Sequence, residues 1–548
     1  MNETTKNSNE LINLWQNLKK SIGLDDPGNS YLELIEDPPE NRPSRMCISI
    51  SDIHLTDGTV GFQNLKEETW EAFYATILQR CIKYKIKELL LVFDGDIIDM
   101  IRSKQWAKNG IYPWERHRQE EFSKVVNDII VEIVDTQHRD FFDWLTQLPG
   151  KLEKDTNERN PGEKNINAGN VKIIITLGNH DKELFCDQKA LTYFYEKGLG
   201  RNLEDISPKE RLAIGRMYGD EKMFADAGTA PYLPFYYGDR GFRFFTTHGQ
   251  WRDSENSRVV DKTNDLPGWS VKDGWNTEIW QKLRYSPFFL PCFGDTVAAG
   301  VLSTFIYKVK EQLADNEIDD PDLNSIIDEL DLYRPTYAAV SRILHKTAEM
   351  RSDGKGKEAI QIIEETIYTC IIDWLSWDFT YQTSPLQRRI GLKTAKKTLE
   401  LMNSLGHGMQ IKTIAGLMKI LAFFHRHHTK GLSLKDMQKF PSFMKIYQHY
   451  GFQIHGEGHT HLPLQEESKI EGEQHPSTYI NFGTWRDQIV PRINGGYRRR
   501  GVLRALFILD LFKEGTKEAD RSFNFFVEDI ILWRDEKDPM ADTSPLGI

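Results

Sequence analysis

Five short apolar runs in this chain each end on a turn that carries Asp, Asn or His, and this repetition constrains the fold more than any other feature. MCISIS (46–51) leads into SDIHL, ELLLVF (88–93) into GDIID, VKIIITL (171–177) into GNHD, FRFFTT (242–247) into HG, and FQIHGE (452–457) into GHTH. Runs of this length, rich in β-branched and aromatic residues, read as strands. Side chains from five such turns can meet only if the strands share one sheet edge, the place where layered α/β proteins bind ligands. TYINF (478–482), ALFILDL (505–511) and FNFFVEDIILW (523–533) read as further strands, the last two antiparallel. Between the first two runs, KEETWEAFYATILQRCIKYKI repeats apolar residues at helical spacing. The expected class is therefore α/β (α+β), with mixed rather than purely parallel sheets.

At 548 residues the chain exceeds what one core usually supports, so a catalytic domain with added structure is expected. The reading divides it into an N-terminal helix and linker (1–44), a first domain part (45–250) and a helical insertion (251–450). A second domain part (451–535) and a polar tail (536–548) follow. Within the first part, 101–169 carries one or two helices around 114–148 and then a polar loop, GKLEKDTNERNPGEKNINAGN, expected to be solvated. In the insertion, apolar residues recur at helical spacing through 297–314, 336–349, 358–375, 411–424 and 436–449.

A net charge of −11 argues against a protein that coats long duplex nucleic acid. The five cysteines are dispersed and never form a CxxC pair, which fits buried thiols in a reducing compartment. With no secretory signal or apolar run long enough to span a bilayer, a cytoplasmic address is expected, and peripheral membrane contact stays open. The oligomeric state is not set by the sequence.

The strand-end residues are Asp52, His54, Asp96, Asn179, His248, His459 and His461. Mixed carboxylate, amide and imidazole ligands suit Mn, Fe or Zn better than Ca or Mg. No cysteine joins the set, so a structural thiolate zinc site is not being built.

In order along the chain, DxH (Asp52, His54), GDxxD (Gly95, Asp96, Asp99), GNHD (Gly178 to Asp181), HG (His248, Gly249) and GHTH (Gly458 to His461) resemble the calcineurin-like metallophosphoesterase superfamily. The resemblance covers roughly 45–250 and 451–535 and leaves the helical insertion out. It implies a four-layer sandwich of two mixed β-sheets flanked by helices. It also implies two divalent ions, one on Asp52, His54, Asp96 and His461, the other on Asp96, Asn179, His248 and His459, with manganese expected and Fe or Zn as alternatives. A hydroxide bridging the ions would attack a phosphate mono-, di- or pyrophosphate ester. His180 would stabilise the transition state or protonate the leaving oxygen, and Asp181 would orient it. Asp99 would either support the ligands or close its turn. The wording of SDIHL, GHTHLP and YINFGTW is similar to the branch containing UDP-2,3-diacylglucosamine pyrophosphatases. The chain departs from the protein serine/threonine phosphatases, which have GDxHG and GDxVDRG at the first two motifs.

The expected substrate is a phosphorylated small molecule or a lipid-linked one. A nuclease or cyclic-nucleotide phosphodiesterase on the same metals is the alternative, and a partner-binding protein with a vestigial site is the third reading. Arg486, just past a strand end, is a candidate phosphate ligand. Arg388, Arg389, Lys393, Lys396 and Lys397 read as a solvated helix face, and Trp251, Trp269, Trp275 and Trp280 as interdomain packing or a substrate platform.

Overall fold

The structure is a computed structural model. It describes residues 35–36, 43–61, 65, 67–202, 233, 236–250, 253, 255–258, 290–333, 342–343, 346, 349–350, 354–384, 386–404, 452–468, 477–491, 497–500, 503–512 and 521–530. The expected helices at 8–22, 411–424 and 436–449, the tryptophans at 251, 269, 275 and 280, and the tail lie outside the described residues.

In chain order the strands are β1 (Ile35–Glu36), β2 (Arg45–Ile50), β3 (Glu88–Asp94), β4 (Val171–Thr176), β5 (Tyr236–Asp239), β6 (Phe244–Thr247), β7 (Ile454–Glu457), β8 (Leu464–Ser468), β9 (Ser477–Asn481), β10 (Gln488–Pro491), β11 (Tyr497–Arg500), β12 (Leu503–Leu511) and β13 (Ser522–Ile530). A five-stranded sheet has the order β13-β12-β2-β3-β4 and a six-stranded sheet β1-β5-β6-β7-β9-β8. Both are mixed. β2, β3 and β4 are parallel while β12 joins antiparallel, and β6, β7 and β9 are parallel while β5 and β8 flank them antiparallel. The N-terminal linker contributes β1 to the edge of the larger sheet.

The two sheets pack face to face. Period-two alternation sends Cys47, Leu90, Val92, Leu506 and Ile508 of the smaller sheet against Phe244, Ile454, Ile480 and Phe482 of the larger region. The alternate residues, Met46, Ile48, Ile50, Leu89, Leu91 and Phe93, face helices on the far side. One of these helices, Glu67–Lys83, buries Trp70, Phe73, Tyr74, Ile77, Leu78 and Cys81 at three- and four-residue spacing. The molecule is thus a mixed α/β protein with two mixed sheets and helices.

One expectation fails between 150 and 159. The polar stretch read as a solvated loop continues the helix Arg139–Arg159 through Pro149. Leu148, Leu152 and Thr156 fall four residues apart on its buried face, and Tyr74 donates to Asp155 at 2.7 Å. Tertiary packing overrides a composition that looks like a loop.

Within 290–404 the described elements are helical, including Thr304–Asp315, Pro321–Asp328, Gly354–Ser376 and Leu386–Ser404. They share a separate apolar core of Phe305, Ile306, Val309, Leu323, Ile327, Ile363 and Trp374, into which Val60 and Ile489 also reach. A bridge from Tyr333 to Ile489 fastens this helical region to the start of β10. Among the described residues no helix is long and apolar enough to cross a membrane.

Leu152→Ala should lower the unfolding free energy by about 2–4 kcal/mol in urea titrations, against nearly nothing if 150–159 were a loop. His138 donates to the Thr56 carbonyl at 2.9 Å, and burial pulls its imidazole down from 6.5 to about 4. A depressed histidine contributes stability above its unfolded value that is lost as the pH falls from about 6.5 through about 4. His138→Gln should therefore show a smaller loss between pH 7 and pH 4.5, by up to about 3 kcal/mol, in matched urea midpoints.

Candidate metal centre

All seven expected ligands lie beyond the carboxyl ends of strands, Asp52 and His54 after β2, Asp96 after β3, Asn179 after β4, His248 after β6, His459 and His461 after β7. Turning a side chain back over a sheet edge requires an abrupt change of backbone direction. Eight non-glycine residues have positive φ among those described, and five of them are Asp52, His54, Asp96, His459 and His461. Each costs on the order of 1–2 kcal/mol, and such conformations persist where the surroundings enforce them.

The enforcing contacts are backbone ones. Asp52 and His54 amides donate to the carbonyls of Gly95 and Asp96, the Gly458 amide to His248, and Trp485 to Asp52. The Asp52 carboxylate accepts the His459 amide at 3.0 Å, and the Asp96 carboxylate accepts that of His180 at 2.8 Å. Gly178 is required because a Cβ there would sit on the Asp96 carboxylate, and Gly95, at φ +75°, would drive one into the His248 ring.

Three groups of potential ligand atoms result among the described residues: Asp52 with His54 and His461, Asp96 with His248 and His459, and His54 with Asp99 and His180, the last sharing His54 with the first. His461 Nε2 lies 2.9 Å from His54 Nε2 and 3.1 Å from Asp52 Oδ1. Asp96 Oδ2 stands between the groups, 3.1 Å from His248 Nε2 and 3.7 Å from His54 Nε2. The fit to cations is visible in what lies behind the imidazoles. His54 Nδ1 donates to Asp99, His248 Nδ1 to the Asp94 carbonyl and His459 Nε2 to Asp253, at 3.1, 2.8 and 3.0 Å. In each neutral ring the opposite nitrogen then carries a lone pair directed inward. His248 Nε2 is buried and faces the Asp96 carboxylate at 3.1 Å, and His459 Nδ1 faces Asn179 Oδ1, also an acceptor, at 2.9 Å. Acceptors converging on acceptors is the arrangement a divalent cation satisfies.

Electrostatics agree. Asp52, Asp96 and Asp99 are at most 1% exposed. Burial pushes these carboxyls up, but it is outweighed for Asp52 by His248 and His461, for Asp96 by His248 and His180, and for Asp99 by His180 and Arg102, leaving all three below the usual range. Burial lowers His248, yet Asp96 and Asp52 outweigh it and hold the imidazole up at about 10. The three carboxylates thus call for positive charge, whether from protons or from metal.

Two expected roles change. Asp181 does not orient His180. Its carboxylate accepts the backbone amides of Asp96, Ile98 and Gly178 at 2.7, 3.0 and 2.9 Å, pinning two ligand turns together, while burial and Asp96 push it up to about 7. The residue on His180 is Asp99, whose Oδ1 accepts from Nδ1 at 2.7 Å while its Oδ2 serves His54. Arg486 does not extend toward a substrate. It is buried and pairs with Asp331 at 2.5 Å, a carboxylate 155 residues earlier in the chain. Of the basic group, Arg388 is buried against Glu255, whereas Lys393 and Lys397 are exposed as expected.

Sequence reading missed Asp253. Burial raises its carboxyl, His459 outweighs this, and the group rests at about 2. The available signal was its position five residues past His248 in HGQWRD. Compared with known proteins, the chain matches no family model, no curated protein and no solved structure. Asp253→Ala should weaken Mn²⁺ binding about 10–100-fold in equilibrium dialysis, because His459 loses the acceptor that fixes its tautomer.

Proposed function

We propose that this protein is a phosphoesterase dependent on two divalent metal ions, of the calcineurin-like metallophosphoesterase kind. Asp52, His54, Asp96 and His461 would hold one ion, and Asp96, Asn179, His248 and His459 the other, with manganese the favoured metal and Fe or Zn alternatives. The observation that carries the reading is the pair of adjoining acceptor groups with Asp96 between them, each backed by hydrogen-bond acceptors behind its histidines. Two mixed sheets with ligand turns at one edge support the four-layer sandwich of that superfamily. Five free, dispersed cysteines favour a reducing, cytoplasmic location.

When bound, such ions supply Lewis-acid chemistry, neutralising phosphate charge and making water acidic enough to attack at neutral pH. The protein's own groups do the rest. Asn179 and the histidines place the phosphate at the open side, where His180, His459 and His461 are half-buried while Asp52, His54 and His248 are sealed. Asp99 fixes the His180 ring through Nδ1, leaving Nε2 to hydrogen-bond a substrate oxygen and protonate the leaving group. The substrate class is a phosphorylated small molecule or a lipid-linked phosphate ester.

The test is hydrolysis of bis-p-nitrophenyl phosphate by Mn²⁺-loaded protein, with nucleotide and single-stranded DNA arms for the nuclease alternative. Asn179→Ala and His248→Ala should each lose more than about 100-fold in rate together with bound metal, exceeding what removal of a group behind a ligand does. His180→Ala should keep its metal and lose about 10²–10⁴ in kcat. Unchanged turnover in the first two variants would refute the two-metal assignment.

A further inference from the structure

The helical region between His248 and His459 delivers a carboxylate into the shell around the metal centre. Asp331 lies in the short turn Leu330–Leu332 and is 1% exposed. A single oxygen of it, Oδ2, receives two guanidiniums, Arg102 at 3.1 Å and Arg486 at 2.5 Å. Arg102 also faces the site. Its guanidinium is 3.4 Å from Asp99 Oδ2, and its backbone amide donates to Asp99 Oδ1 at 3.2 Å. Asp99 is the carboxylate that holds both His54 and His180. A continuous buried series of charges therefore runs from Arg486 through Asp331, Arg102 and Asp99 to one metal-ligand candidate and to the candidate general acid.

The anchorage of Asp331 is rigid. Leu330, Leu332 and Tyr333 are buried in one cluster with Val60 and Ile489, and Tyr333 bridges to Ile489. Gly61, at φ +91°, opens the space, since a Cβ there would come within 3.2 Å of Asp331 Oδ2. An arginine with two carboxylates on it holds one orientation; with Asp331 neutralised, the buried Arg102 guanidinium leans on Asp99, the other carboxylate it contacts, at considerable cost. Asp99 would then be pulled toward that guanidinium, and the imidazoles it orients would move with it.

We propose that Asp331 is a positioning residue for the metal centre, acting through Arg102 on Asp99, so that the helical region is a structural part of the site. The kinetic half of this proposal rests on the phosphoesterase reading; the metal-binding half rests on the geometry around His54 alone.

The experiment compares wild type, Asp331→Asn and Arg102→Gln in the full chain. Asp331→Asn keeps the side-chain shape and removes its charge, while Arg102→Gln cuts the series one link nearer the site with Asp331 intact. Both should lower Mn²⁺ affinity about 10-fold by calorimetric titration. Both should also lower kcat on bis-p-nitrophenyl phosphate at least about 10-fold with KM held within about twofold. Thermal melting establishes folding, and if Asp331→Asn does not fold, Arg102→Gln decides. Folded variants with wild-type Mn²⁺ affinity and kcat overturn the proposal. A rise in KM alone also overturns it, by placing the arginines on the substrate instead. If wild type hydrolyses no phosphate ester, the phosphoesterase reading fails, and the Mn²⁺ affinities of the two variants still decide the role of Asp331.

Discussion

Three buried carboxylates, Asp52, Asp96 and Asp99, impose the condition that the rest of the centre must meet. A carboxylate removed from water is strongly unfavourable unless positive charge and hydrogen bonds replace the solvent. Here the replacement is an imidazole array: His54, His248 and His461 around the first two, His180 and Arg102 around the third. The array is itself constrained from behind, since Asp99, the Asp94 carbonyl and Asp253 each hold one ring nitrogen. Charge compensation and ligand orientation are thus the same set of contacts.

Such an array needs a rigid frame, and the frame is the common edge of two packed sheets. The parallel trio β2, β3 and β4 sends three turns with candidate ligands in one direction, and the parallel pair β6 and β7 sends two more toward them. The left-handed backbone at five candidate ligands is held by amide-to-carbonyl bonds between turns and by Asp181, which ties three amides of two turns to one carboxylate. Removing the carboxylate of Asp181 would release backbone, and the change would reach the ligands only through it.

The legible part of the fold was local. MCISIS, ELLLVF and VKIIITL are short apolar runs that end on turn residues, a local pattern that reads as strand, and observed β2, β3 and β4 lie within a residue of those runs. Residues 150–159 were illegible for the opposite reason. Their polar composition resembles a loop, and only packing of the whole helix against the helix Glu67–Lys83 and other parts of the core buries Leu152 and Thr156. Asp181 and Arg486 were misassigned because a role depends on the partner a side chain meets, and their partners lie 85 and 155 residues away in the chain.

The sequence by itself determined the seven candidate ligands and their placement at strand ends, because strand propensity and turn chemistry act over a few residues. Tertiary structure alone decided which atoms face one another: that Asp99 serves two histidines, that Asp253 stands behind His459, and that Asp331 pairs with the buried Arg486. Those pairings join segments separated by up to about two hundred residues, and electrostatic preference between distant charges has no periodicity or spacing in the chain from which it could be read.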